Sequence, residues 1–205
     1  MTPPPTDPNA MRSLQGLAHP LRVRLLDELS SYGPSTASAL AEKLGESSGS
    51  TSYHLRQLER HGFVTEDTGR GNGRERWWKR VPQSIDLSVA DDAGPAEQAA
   101  GDMIMTQWMG NRIARLDEFM RRAKAELSPL WLDASRLTTS NMRLTAEQAI
   151  ALHTDLVEVL DRYVALYREQ DVPGSRPCQI HVDAFALIDG EERPEQTTTD
   201  QESPS

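Results

Sequence analysis

Residues 36–81 read TASALAEKLGESSGSTSYHLRQLERHGFVTEDTGRGNGRERWWKRV, and this stretch decides the fold. Ala37, Leu40, Ala41 and Leu44 recur at helical spacing. Thr36 stands where a side-chain oxygen can cap that helix, and Gly45 suits the left-handed conformation common at a helix end. Ser47 can cap a second helix, SSGSTSYHLRQLERHG, on which Thr51, Leu55 and Leu58 share one face. That face must be the buried one, so Ser48, Gly49, Ser50, Ser52, Tyr53 and Arg56 are predicted to lie outside. Phe63-Val64 then begins a strand, Gly69 to Gly73 makes a turn, and Arg74 to Val81 returns. Arg70, Arg74 and Arg76 fall at or near the hairpin tip. Trp77 and Trp78 must point to opposite faces of their strand, one of them toward the core.

Upstream, Ala18-His19-Pro20 precedes LRVRLLDEL. Pro20 presets a helix start, and Leu21, Leu25, Leu26 and Leu29 give a core-facing stripe that Gly33-Pro34 ends. The order is helix, helix, tight turn, helix, basic hairpin. Such an arrangement fits a duplex: a helix with small residues at its start can lie in the major groove while the hairpin straddles phosphates. The amides of Ser47, Ser48, Ser50 and Ser52 at the helix start suit a phosphate. Arg56 can reach guanine or phosphate, and Tyr53 a thymine methyl or a backbone oxygen. Each piece also has a plainer reading, as a polar surface helix and as a solvated hairpin whose charges block edge pairing. The two side by side favour nucleic acid.

The string SxxSTSYHLRQLxxHGFV, preceded by LAHPLRVRLLDEL and followed by an Arg-bearing wing, resembles the winged helix-turn-helix of ArsR-like bacterial transcriptional regulators over about residues 11–82. The resemblance implies a homodimer that reads a pseudo-palindromic site in double-stranded DNA, with the recognition helix at Ser47–His61 and the wing at Arg70–Arg76. It departs from the metal-sensing members, because STASALAEKLGES holds no Cys or His. His19, His54, His61, His153 and His181 show no ligand spacing, so no metal or cofactor is expected. His54, flanking Leu55 and Leu58, reads as a satisfied helix residue.

The bulk numbers are compatible with this. The chain of 205 residues has room for one or two domains, and its net charge of -9 is unevenly placed. Residues 11–82 carry 11 Lys/Arg against 8 Asp/Glu, a net of +3, whereas residues 83–205 carry 11 against 22, a net of -11. The local patch decides a nucleic-acid contact, and the acidic half should hold DNA to one side. Cys178 is the only cysteine, which excludes an intrachain disulfide. No apolar run approaches the ~20 residues of a membrane span, and MTPPPTDPNA lacks the features of a secretion signal. A cytoplasmic location is expected.

The expected layout is a disordered 1–10, a winged helix-turn-helix at 11–82, a linker at 83–96, a dimerisation or effector module at 97–189, and a disordered acidic tail at 190–205. The fold class is α+β, mainly α. A long helix is predicted over about Ala96 to Leu127, with Met105, Met109, Ile113, Leu116, Met120, Ala123 and Leu127 on one stripe and Ser128-Pro129 as its stop. Another spans about Thr145 to Glu169, opened by the capping box TAEQ. Strands are expected to flank it, at Leu137–Leu144 and Cys178–Ile188. Met105, Trp108, Met109, Trp131, Tyr163 and Tyr167 are candidates to line an apolar pocket for a small-molecule effector, or else core or dimer interface.

The leading reading is a dimeric, sequence-specific transcriptional regulator. A reading of another class makes the winged helix a protein-interaction module docking a transcription or signalling partner; the basic wing argues against it. No enzyme is expected, since nucleophile elbow, phosphate loop and paired carboxylates are missing and Gly69-Arg-Gly-Asn-Gly73 falls in a hairpin turn.

Overall fold

The computed structural model describes residues 14–70, 75–83, 85, 93–168, 170 and 172–193. Its elements are α1 (Pro20–Tyr32), β1 (Ser35–Thr36), α2 (Ala37–Leu44), α3 (Ser48–Arg60), β2 (Val64–Glu66), β3 (Trp77–Arg80), α4 (Pro95–Glu126), α5 (Pro129–Ala134) and α6 (Ala146–Tyr167). The architecture is α+β, mainly α, as expected. No helix of the described residues is long and apolar enough to cross a membrane.

The local signals act where the sequence put them. Pro20 opens α1, with His19 Nδ1 accepting from the Leu21 amide at 3.1 Å. Thr36 Oγ1 caps α2 by accepting from the Ala39 amide at 3.2 Å, and Ser47 Oγ caps α3 by accepting from the Ser50 amide at 3.1 Å. Gly45 ends α2 with φ 68° and ψ 34°, a left-handed conformation costly for any residue with a Cβ. The antiparallel sheet has the order β1-β3-β2, pairing Ser35 with Trp78 and Glu66 with Trp78 across β3.

One apolar core serves these elements. Leu21, Val23, Leu25, Leu26 and Leu29 of α1 meet Leu40 of α2, Leu55 and Leu58 of α3, Phe63, Val64 and Trp78 of the hairpin, and Ile104 of α4. Each large side chain fully withdrawn from water contributes about 1.5–3 kcal/mol, which makes this cluster the dominant stabilising element. Of the tryptophan pair, Trp78 is buried in it and Trp77 is half-buried on the other face. The helical residues 14–17 press so closely that a Cβ on Gly16 would overlap Phe63 Cε2 and lie 2.9 Å from His61 Cβ.

By its contacts the chain forms two units, Met1–Thr138 and Thr139–Ser205, so α4 groups with the winged helix. A charged cluster explains how α4 is held. Arg115 Nη2 lies 2.9 Å from Asp27 Oδ2 and 3.1 Å from Glu28 Oε1, and Arg115 Nη1 donates to Ser31. Asn111 Nδ2 donates to Asp27 Oδ2 at 3.2 Å, and Lys43 Nζ of α2 forms an ion pair with Glu28 Oε2 at 2.5 Å. Arg115, Asp27 and Glu28 keep under a fifth of their side-chain surface exposed, so each charge depends on the others for compensation. Burial pushes the Asp27 carboxyl above its ordinary range, and Arg115 only partly offsets that.

In the second unit α6 starts as expected: Thr145 Oγ1 accepts from the Gln148 amide while Gln148 Oε1 accepts from the Thr145 amide, both halves of the capping box. The flanking strands need correction. Residues 137–144 and 178–188 lie in neither helix nor ladder, and no backbone hydrogen bond joins them among the described residues. Their β-forming composition finds no neighbouring strand in a single chain, and composition alone does not close a sheet. Most of the expected linker, namely 84 and 86–92, lies outside the described residues, as do 1–10 and 194–205 of the expected disordered ends and 11–13 of the expected winged helix-turn-helix.

Two substitutions test this packing. Gly16→Ala should lower unfolding free energy by about 1–3 kcal/mol, the range for an overpacked contact, with chemical denaturation as the readout. Arg115→Ala leaves Asp27 to Asn111 and Glu28 to Lys43, and should cost about 1–3 kcal/mol. The further replacement of Asp27 and Glu28 by Asn and Gln should restore part of that loss.

Candidate nucleic-acid interface

The geometry of α3 follows from its buried side. Thr51, Leu55 and Leu58 are held in the core, which fixes the helix rotation. Ser48, Gly49, Tyr53 and Arg56 are consequently exposed, while Ser50 and Ser52 are half-buried at the margin. Ser47 spends its hydroxyl on the cap, so its contribution is to hold the first turn in shape. Tyr53 is 56% exposed and makes an edge contact with His54, ring centroids 5.0 Å apart. The outer face presents hydroxyls, a phenol, a guanidinium and the positive end of a helix dipole, donors and acceptors of the kind that read base edges or hold phosphates.

The wing places β2 and β3 directly after α3. Arg70 Nε is 3.2 Å from Asp67 Oδ2, Lys79 Nζ is 3.1 Å from Asp67 Oδ1, and Arg76 Nε is 3.6 Å from Glu66 Oε2. Arg70 and Arg76 remain more than half exposed, and pairs of that kind contribute about 0–1 kcal/mol. A phosphate can therefore replace Asp67 or Glu66 as their partner at little cost. Arg74, the third wing arginine, lies outside the described residues.

Two neighbours of α3 escaped the sequence reading. His19 of the α1 cap stacks against His54, ring centroids 4.1 Å apart and 36° tilted. Arg22 lies beside Tyr53, and its Nε is buried with no hydrogen-bond partner among the described residues. Burial is the larger influence on Arg22 and lowers its pKa, with Tyr53 opposing. Both residues reach α3 only through the crossing of α1 and α3, which no spacing within either segment encodes.

His54 also departs from expectation. Its Nδ1 is buried and lacks a partner among the described residues, so it is not the satisfied helix residue the spacing suggested. His19 and Arg22 lie beside it, but neither hydrogen-bonds that atom among the described residues. Burial, then the charges of His19 and Arg22, depress its pKa below the ordinary 6.5, with Glu46 acting in the other direction.

A family model described as a helix-turn-helix domain matches residues 17–67, which run from the end of the first described helical turn through β2. The chain carries a helix-turn-helix domain. Within it α2 and α3 are the paired helices, with Gly45 at the turn between them. The returning wing strand, α4 and the second unit extend beyond the match. No curated protein matches the chain.

The residues proposed for an effector pocket are divided. Met105, Trp108, Met109 and Trp131 belong to the first unit and Tyr163 and Tyr167 to the second. Met105 and Met109 stand exposed on α4, Trp108 packs on the core, and Trp131 is half-buried. Tyr163 and Tyr167 are exposed, their rings 6.0 Å apart.

His54 gives the helix-turn-helix domain a pH response of defined sign. Because His54 binds its proton less tightly when folded, the unfolded chain takes up more protons below pH 6.5. Its contribution is intact above that value and is lost as pH falls from 6.5 toward the depressed folded-state value. Thermal melts should show stability declining over that interval, and His54→Gln should flatten the decline.

Proposed function

We propose that the chain is a sequence-specific DNA-binding transcriptional regulator of the ArsR-like type, acting as a homodimer on a pseudo-palindromic site. The observation that carries this reading is the face of α3. Its inner side is locked into the core by Thr51, Leu55 and Leu58, while its outer side is polar, uncovered and flanked by an arginine-bearing wing. Ser48, Ser50, Ser52, Tyr53 and Arg56 face base edges and the nearer phosphates, with Ser47 shaping the first turn. Arg70, Arg74 and Arg76 lie along the backbone, supplying affinity without sequence preference. A protein-docking winged helix has no need of those arginines.

The second copy is assigned to α4. Met105, Met109, Ile113, Leu116 and Met120 follow one another by four, four, three and four residues, and all stand 44–64% exposed. A stripe of that period on a 32-residue helix is a seam for another helix. The seam accounts for Met105 and Met109 without a ligand pocket. Two such domains about 34 Å apart would meet successive major grooves on one side of a duplex.

Electrophoretic retardation of the protein's own upstream DNA tests the reading, with binding weakening steeply as salt rises. Replacing Arg70 and Arg76 by alanine should weaken binding to all sequences and reduce the salt slope by about 2. Tyr53→Ala should instead change preference, costing about 1–3 kcal/mol on the cognate site. Unchanged binding by both variants would remove this face as the interface. Ile113→Glu with Met120→Glu should convert the α4-mediated dimer to a form that binds only half-sites, as light scattering and footprinting would report.

A further inference from the structure

An arginine without a counter-charge stands beside the reading helix. α1 carries Arg22 and Arg24, and the two are used differently. Arg24 is committed within the fold: its Nη2 donates to the Leu44 carbonyl at 2.9 Å, and its Nη1 lies 3.5 Å from Glu46 Oε1. Arg22 has neither a carboxylate nor a hydrogen-bond partner among the described residues, and its Nε is buried. It lies beside Tyr53 and His54 of α3, and the His54 ring stacks on His19. His54 Nδ1 is buried and unpartnered as well. Two segments remote in sequence thus bring together one guanidinium, two imidazoles and a phenol. Glu46 is the carboxylate that acts on His54, and Arg24 already holds it.

The fold gains nothing from leaving these groups open. A half-buried guanidinium loses part of its hydration, and without an acceptor that loss is uncompensated. An anion compensates it: the guanidinium fork grips two phosphate oxygens at once, and imidazole and phenol each offer a further donor. The place of the cluster says which anion. Tyr53 stands on the outer face of α3, with His54 on the flank next to it. An α-helix with its side chains is about 10–12 Å across, and the major groove of B-DNA is about 12 Å wide. A helix seated there has base edges before it and a row of phosphates along each flank. The wing arginines come from the chain beyond the C-terminal end of α3, whereas this flank is served by α1.

We infer that Arg22, with His19, His54 and Tyr53 around it, holds one backbone phosphate of the duplex that α3 reads. The contact rests on the DNA-binding reading of α3 and adds to it a phosphate site outside the paired helices and the wing. Arg22 supplies the charge and the fork, and the rings close the site around it. The charged groups acting on His54 are His19 and Arg22 at the start of α1 and Glu46 in the turn between α2 and α3; none comes from α2 or β2. Burial, then the neighbouring His19 and Arg22, keep His54 from taking a proton in the free protein, and a phosphate beside it acts the other way. Duplex binding is then accompanied by proton uptake. Affinity therefore rises as pH falls from about 7.5 to about 6, the reverse of the trend in stability of the free chain.

The test compares full-length wild type with Arg22→Gln in retardation of the upstream duplex and of a scrambled one. Arg22→Gln should weaken binding to both by about tenfold or more and reduce the salt slope by about 1. Its thermal melt should be no lower than that of wild type, because the side chain has no partner to lose. Methylphosphonates placed one at a time along the duplex each remove a single phosphate charge. At the contacted phosphate the neutral linkage should weaken wild type and leave Arg22→Gln unaffected, whereas elsewhere both proteins lose equally. His54→Gln should abolish the tightening at lower pH, and a wild-type affinity indifferent to pH removes His54 from the site. Equal binding by the two proteins, or no phosphate at which they differ, overturns the contact. A lower melting temperature for Arg22→Gln overturns it too, marking a structural arginine. Saturable binding of inorganic phosphate alone, lost in Arg22→Gln, makes the cluster a site for a free anion and overturns the DNA backbone as its occupant. Failure of wild type to retard any duplex overturns the DNA-binding reading along with this contact; retardation indifferent to Arg22 overturns this contact alone.

Discussion

Thr51, Leu55 and Leu58 occupy one side of a 13-residue helix, and their withdrawal into the core against α1 and α2 sets the rotation of α3 about its own axis. Everything attributed to the outer surface depends on that rotation. With it fixed, Ser48, Gly49, Tyr53 and Arg56 have no option but to face outward, and the wing follows from the chain direction at Phe63. The interface is thus specified from beneath, by residues that would never touch a ligand. A core change that rolled α3 by one position would replace Tyr53 and Arg56 at the surface without altering either.

Much of this was legible because it is local. Caps at Thr36, Ser47 and Thr145, the left-handed Gly45, and the opposite-facing tryptophans are each determined within a few residues, and each occurs as expected. The long helix was legible for the same reason, its stripe and its Ser128-Pro129 stop both being periodic or adjacent signals. What sequence spacing did not reveal is tertiary. The Arg115 cluster joins residues 87 positions apart, and the approach of His19 and Arg22 to α3 depends on how two helices cross. The overlap awaiting any side chain at Gly16 is of this kind too, since nothing in LQGLAHP foretells Phe63.

The misjudged strands mark a different limit. A β-forming composition states what a segment would do beside a neighbour, and a ladder needs that neighbour to exist. Residues 178–188 satisfy every compositional condition and none of the pairing. His54 is the converse case. Its position in the sequence reads as an ordinary helix residue with its polar atoms met, yet its Nδ1 is buried beside His19 and Arg22 without a hydrogen-bond partner among the described residues.

Glu28 belongs at once to two helices, holding Lys43 of α2 through one carboxylate oxygen and Arg115 of α4 through the other. The first helix of the DNA-reading pair and the long helix beside it are for that reason electrically one object. A charge removed from either resets the field acting on the other, so their energies cannot be apportioned position by position. Any torque on α4 is felt at α2 through a single side chain, with no loop to absorb it.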